Sequence, residues 1–405
     1  MNELTSIGLI LLLALLAGHL VKALRIPEVT GYILVGIALG PSVLGWLSED
    51  NLVALGVLSE VALGLILFSV GAVFEFSLFR RIGRQVVLLT LVESALAATL
   101  VTAGALWCGQ SWAISLLLGA IATATAPAST LMVIRECDSA GPLTDNLLGI
   151  IAVNNLLCIS LFGLVAAGID LTIGLEGLAR SEMVYRSLFW FSWELVGAAA
   201  LGYLVGLLIA RWSTHVTERG EMLILLAGAI LFCVGISRAL NLSPLVTSLA
   251  VGATMVNLAD RSHRLFGALS HTDPPFYAIF FVIAGAELDV SRIPEMGWLG
   301  VVYIVGRASG KFAGARLAAW RLGLDPGVRR FLGFALQAQA GLAVGLTLTV
   351  HSRYPQFAPV VATIVLASVA VFEMIGPAST RFALVQSGEA GIARLGARAP
   401  LSADR

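Results

Sequence analysis

The sequence predicts an all-α polytopic membrane protein of about thirteen transmembrane helices, and three observations carry that prediction. Hydrophobic residues make up 58% of the 405-residue chain and charged residues only 12%, about half the charged share of a soluble domain. Apolar windows close to the ~20 residues that cross a bilayer core as helix recur from end to end. The 42 glycines and 13 prolines fall largely inside those windows, as they do in packed transmembrane helices. The formal net charge of zero implies no nucleic-acid partner. Cys108, Cys137, Cys158 and Cys233 are dispersed without metal-ligand spacing and read as small core residues, so no metal or cofactor is expected.

Taken in order, the first window is Leu4 to Leu24; Met1-Asn2-Glu3 before it lacks the basic start of a signal peptide, and the run is too long for one, so it counts as a span. Val29 to Leu44, Leu52 to Val73 and Val86 to Leu106 follow, each bounded by charged or turn-forming residues. Trp112 to Ile134 and Leu143 to Ala167 complete the first half. Ser187 to Ala210, Met222 to Leu240, Pro244 to Leu258 and Pro275 to Leu288 come next, and Trp298 to Trp320, Phe331 to Val350 and Phe357 to Pro377 close the series. Placing the N-terminus outside and the C-terminus in the cytoplasm leaves about 18 of the 25 basic residues in cytoplasmic loops, which the positive-inside rule favours. The longest loop, Gly168 to Arg186, is too small to fold alone and suits a surface helix. Residues 386–405 read as a short basic cytoplasmic tail. The five histidines have no evident partners; His19 reads as a packed or interfacial residue, and Arg261 to Asp273 as a solvated segment containing His263 and His271.

Three windows are interrupted. The fifth carries Thr123-Ala124-Thr125-Ala126-Pro127-Ala128-Ser129-Thr130 at its middle. Pro127 deletes a backbone hydrogen bond, and the hydroxyl side chains can re-satisfy the freed groups, so the helix is expected to break at membrane depth. The twelfth window has Gln337-Ala338-Gln339-Ala340-Gly341 in the same position. Paired breaks in two halves of a chain point to a midplane binding site in an inverted-repeat transporter. In the eleventh window Arg307 and Lys311 stand four apart, on one face. Charge inside a span is costly enough to suggest function.

These residues carry a resemblance to the cation:proton antiporter superfamily, in its Kef-type, sodium/proton-exchanger-like bacterial branch. It covers nearly the whole chain and rests on Arg25-Ile26-Pro27-Glu28-Val29, Gly31-Tyr32-Ile33, Gly36 through Ser42, and the Thr/Pro/Ser break. It continues through Phe280-Phe281 with Gly285, Leu288 and Asp289, then Gly310-Lys311 with Gly314, and Gln337 through Gly341. The resemblance implies a transporter, not an enzyme, in a bacterial inner membrane, within residues 1–385. It implies a core of approximately 83–168 and 275–385 holding two crossing broken helices, with the remainder a dimerisation scaffold. A homodimer would exchange a monovalent cation for protons by an elevator motion, against membrane lipids, with a separately encoded regulatory subunit as a further expected partner. Lys311 would pair with an acidic residue of the sixth span.

That acid is missing. Where members of the superfamily carry Asp-Asp or Asn-Asp, this chain has Asn154 and Asn155, and an amide has no proton to trade. Four readings follow. A different carboxyl carries the proton: Glu93, Glu60 and Glu373 lie inside spans, with Glu287 at the end of the tenth; each is equally a counter-ion for Arg307 or Lys311. Alternatively Lys311, lacking an acidic partner, carries it, with a cation held by Thr123, Thr125, Ser129 and the two asparagines. A third reading takes the site as net positive and the substrate as a small anion. The fourth is a sensor or assembly protein on the same fold, without transport.

Overall fold

The computed structural model describes residues 3–24, 26–71, 74, 76–173, 189, 192–216, 218–259, 266, 273–288 and 294–392. Arg25, Asp289, His263, His271, the loop after Ile173 and the tail beyond Ile392 lie outside the described residues. The described residues are helical throughout, with helices α1 Glu3–Ala23, α2 Glu28–Leu39, α3 Glu49–Gly71, α4 Phe76–Trp107, α5 Trp112–Ala122, α6 Pro127–Glu136 and α7 Pro142–Ile173 in the first half. A π-turn at Trp193–Gly197 leads into α8 Ala198–Trp212, then α9 Arg219–Ala239, α10 Pro244–Leu258 and α11 Asp273–Ala286. The last four are α12 Gly297–Arg321, α13 Pro326–Ala335, α14 Gly341–Arg353 and α15 Ala358–Gln386. Eight helical stretches among the described residues are long and apolar enough to cross a membrane, and four shorter apolar helices accompany them.

Local chemistry sets several boundaries. Ser111 caps α5 by accepting from Ile114 N, and Ser243 with Pro244 opens α10. Asp325 with Pro326 does the same for α13. The last helix continues past Pro377, where the apolar window ends, to Gln386. There Thr380 Oγ1 donates to Gly376 O at 3.0 Å and to Ala335 O at 3.1 Å, tying the helix beyond its proline to α13. The start of the expected tail is also structured. Glu389 folds back to cap α7, accepting from Leu143 N at 2.6 Å and Thr144 N at 2.8 Å, because a helix N-terminus leaves donors unsatisfied.

Glycines let helices touch backbone to backbone, and the pattern recurs. A Cβ on Gly36 of α2 would stand 2.1 Å from Val282 O and 2.8 Å from the Gly285 Cα of α11. One on Gly252 of α10 would stand 2.1 Å from Phe68 O and 3.0 Å from the Gly71 Cα of α3. The same reciprocal glycine crossing thus occurs twice, between α2 and α11 and between α3 and α10. Around these crossings α11 packs on α1, α2 and α3, and α10 on α3 and α8. Helix α9 packs on α3, α8 and α10, and helices α5–α7 and α13–α15 gather about a tight α4–α12 pair. Residues 275–286 pack on α2 and α3, where Gly285 admits Ile33 of α2.

Candidate ion-exchange site

The site is built where α4 and α12 touch. A Cβ on Gly310 would lie 2.5 Å from the Ala97 Cα, and one on Gly314 would lie 2.5 Å from the Glu93 Cα. Small residues at four-residue spacing bring the two backbones together, and Lys311 is carried between them onto Glu93. Lys311 Nζ donates to Glu93 Oε2 at 2.8 Å and to Thr125 Oγ1 at 2.8 Å, and both side chains of this ion pair are 0% exposed. The other carboxylate oxygen, Oε1, accepts from Asn154 Nδ2 at 2.9 Å and Ser94 Oγ at 2.9 Å. Asn154 Oδ1 in turn accepts from Thr125 N, at 2.9 Å, within the break of the fifth span. One carboxylate, one ammonium, one amide and two hydroxyls form a closed buried network, the condition under which buried charge is tolerated.

Arg307, one turn earlier on α12, serves the breaks themselves. Helix α5 stops at Ala122 and α6 restarts at Pro127, while α13 stops at Ala335 and α14 restarts at Gly341. The two breaks join through Ala126 N donating to Ala338 O at 3.0 Å. Arg307 donates to Gln337 O at 2.8 Å, Ala124 O at 2.7 Å and Ala338 O at 3.1 Å, with its guanidinium 4.2 Å from the centre of the Phe372 ring. Carbonyls left over at helix C-termini carry partial negative charge, so Arg307 needs no carboxylate.

The other expected residues divide. Thr123 Oγ1 turns back to Ala120 O at 2.7 Å, away from the ion pair. Ser129 Oγ and Asn155 Oδ1 are buried with no hydrogen-bond partner among the described residues. Gln339 Nε2 donates to Tyr303 Oη at 3.0 Å and Ile121 O at 3.2 Å and so braces the crossing, while Gln337 Nε2 turns back to Gly333 O of α13 at 2.7 Å. Pro127 is the first residue of α6 and Gly341 the first of α14. Glu60 pairs with Arg238 rather than with either core cation. Glu373 is 3% exposed and pairs with neither Arg307 nor Lys311.

Of the carboxyls expected as counter-ions, Glu93 on α4 is the one that meets Lys311, which corrects the reading of Lys311 as lacking an acidic partner. Sequence reasoning missed Ser94, although a hydroxyl adjoining an intramembrane glutamate was a signal; it also missed Tyr303 and Phe372, whose roles depend on neighbours remote in sequence.

With this geometry in view, the comparisons with known proteins are decisive about family. The model of the transmembrane sodium/hydrogen exchanger matches residues 8–385. The chain belongs to the sodium/hydrogen exchanger family. It is 24% identical over 378 residues to the ammonium/H(+) antiporter subunit AmhT of Alkalihalophilus pseudofirmus, covering 92% of this chain and 89% of that protein. It is 26% identical over 302 residues to the iron transporter MagA of Paramagnetospirillum magneticum, covering 72% and 65% of the two chains. Its fold matches that of the sodium proton antiporter MjNhaP1 from Methanocaldococcus jannaschii with a TM-score of 0.68, at 18% identity, over 97% of this chain and 98% of that one.

Proposed function

We propose that this protein is a secondary transporter that exchanges a monovalent cation for protons, and that Glu93 is the group at which the two compete. The observation that carries this is the fully buried Glu93–Lys311 pair beside the crossing of the broken helices. It supplies, from the fourth span, the carboxylate that Asn154 and Asn155 lack.

Charge conservation suggests how the exchange runs. The resting pair is neutral, with a carboxylate and an ammonium. When a monovalent cation takes the carboxylate, the site stays neutral only if the ammonium of Lys311 gives up its proton. One cation in for one proton out is therefore the balanced step, and the expected stoichiometry is electroneutral. Thr125 and Asn154 hold the two partners in place, while Ser129 Oγ and Asn155 Oδ1 are spare neutral oxygens available to a cation.

For alternating access, the glycine-locked α4–α12 pair suits a rigid moving unit comprising α4–α7 and α12–α15. The helices α1–α3 and α8–α11 suit a fixed scaffold and the homodimer face. A bacterial inner-membrane location, with the N-terminus outside, is the arrangement the basic residues favour. A separate regulatory subunit fits the name of the relative AmhT, an antiporter subunit.

The test is flux in reconstituted vesicles loaded with a pH dye. A pulse of sodium, potassium or ammonium should shift internal pH in wild type and not in Glu93→Gln. No response to any cation at several pH values would reject exchange and favour the sensor reading. A response equal in Glu93→Gln would move the exchange elsewhere.

A further inference from the structure

A cavity of about 390 Å³ lies between α3, α11, α14 and α15. Its wall includes three carboxylates, Glu60, Glu287 and Glu373, set among apolar side chains such as Leu63, Phe280 and Val344. Glu93, Lys311, Thr125 and Asn154 are not part of it. The wall runs from the exposed Glu287 to Ala340 and Gly341, where α14 begins. Gly341 is itself exposed, although it sits at the midpoint of an apolar window.

The three acids differ in what they hold. Glu287 is exposed, and Glu60 bonds Arg238. Glu373 is 3% exposed, and neither of its carboxylate oxygens has a hydrogen-bond partner among the described residues. Nearly all buried polar side chains are satisfied, and an unsatisfied one calls for an explanation. Among the described residues neither core cation pairs with it: the guanidinium of Arg307 bonds three backbone carbonyls while its Nε has no partner, and Lys311 bonds Glu93 and Thr125. A wall of low polarity strengthens attraction between Glu373 and any cation entering the cavity, and the acids nearer its rim raise the local cation concentration.

We propose that Glu373 is the anionic ligand of a second site for a small monovalent cation, an alkali ion or ammonium, at the inner end of this cavity. The site is separate from Glu93 and is reached from the face that bears Glu287. Its ligand class rests on the cation-exchange reading; its position rests on the cavity alone.

Binding is tested without transport. Gly345 lines the cavity, is exposed and has open space where a side chain would begin. In a background with the four native cysteines replaced by serine or alanine, Gly345→Cys in lipid nanodiscs is modified with a membrane-impermeant methanethiosulfonate. The rate is measured in sodium, potassium or ammonium chloride against choline chloride at equal ionic strength. At ten times its dissociation constant a single-site ligand occupies about nine-tenths of the protein, so the protecting cation should slow modification about tenfold. Glu373→Gln should abolish that protection and Glu93→Gln should retain it. Should Glu373→Gln not fold, Glu373→Asp, with its carboxylate drawn back, should raise the half-protecting concentration at least about threefold.

Lack of modification of Gly345→Cys, equal rates in all four salts, or protection unchanged by either substitution at Glu373 would overturn the proposal. Failure here is distinguishable from failure of the exchange reading. Flux with no Glu373-dependent protection removes only the second site, whereas protection without flux removes only exchange.

Discussion

Glu93 and Lys311, 218 positions apart, meet at 2.8 Å in a site that excludes solvent from both side chains. The contact exists because Gly310 and Gly314 let α12 rest on the backbone of α4. Stability, flux and pH dependence should all respond to this arrangement and its surroundings.

Removing one member of a buried pair leaves the other charge uncompensated, at a cost of about 3–5 kcal/mol. Glu93→Gln and Lys311→Met should each lower thermal stability in detergent. The double variant should recover much of the loss, giving a coupling in a double-mutant cycle. Additive losses would mean that the two groups do not form the pair.

Gly314→Ala places a methyl carbon where the Glu93 Cα stands 2.5 Å away. Overpacking of this kind costs about 1–3 kcal/mol. Because it separates α12 from α4, cation-dependent proton flux should fall more than melting temperature alone would account for. Gly8, where an added Cβ would meet nothing within 4 Å, is the control, and Gly8→Ala should change neither.

Arg307→Lys keeps the charge but loses the planar fork that reaches Ala124, Gln337 and Ala338 together. It should destabilise the crossing nearly as much as Arg307→Ala. Full stability in the lysine variant would show that charge alone suffices.

In the proposed exchange one proton leaves as one cation binds, so the sign of the pH effect is fixed. As pH falls, the competing proton is favoured and the apparent KM for the cation should rise, by up to about tenfold per pH unit for a single competing proton. As pH rises, the apparent KM falls to a constant value. Initial-rate measurements across pH check this; a KM independent of pH would exclude direct competition.

Asn155→Asp adds a carboxylate at a side chain whose Oδ1 has no hydrogen-bond partner among the described residues. A site with two carboxylates can carry two protons against one cation, so flux should become sensitive to an imposed membrane potential. Wild-type flux should be insensitive. Recordings at several potentials distinguish the two.

Much of the fold was legible because its determinants are local. Apolar windows gave the helices, and Pro127 and Gly341 marked the restarts of the two broken spans. Glycines recurring in α2, α10 and α11 foreshadowed close crossings, but which pairs cross is a property of the assembled bundle. Lys311 was identifiable as unusual from its position in an apolar run, and Glu93 stood among several acids of similar standing.

By itself, the sequence determined that this is a helical membrane protein of the exchanger type, with two interrupted spans and a lysine and two adjacent amides inside apolar windows. Hydrophobic length, backbone-breaking residues and intramembrane charge are written along the chain and need no tertiary context. Only the tertiary structure decided which acid meets Lys311 and which charge stabilises the crossing. It also left Glu373 without a hydrogen-bond partner among the described residues, at a cavity wall. Electrostatic pairing acts over a few ångströms, and only the packing of α4 against α12 brings Glu93 within that range of Lys311.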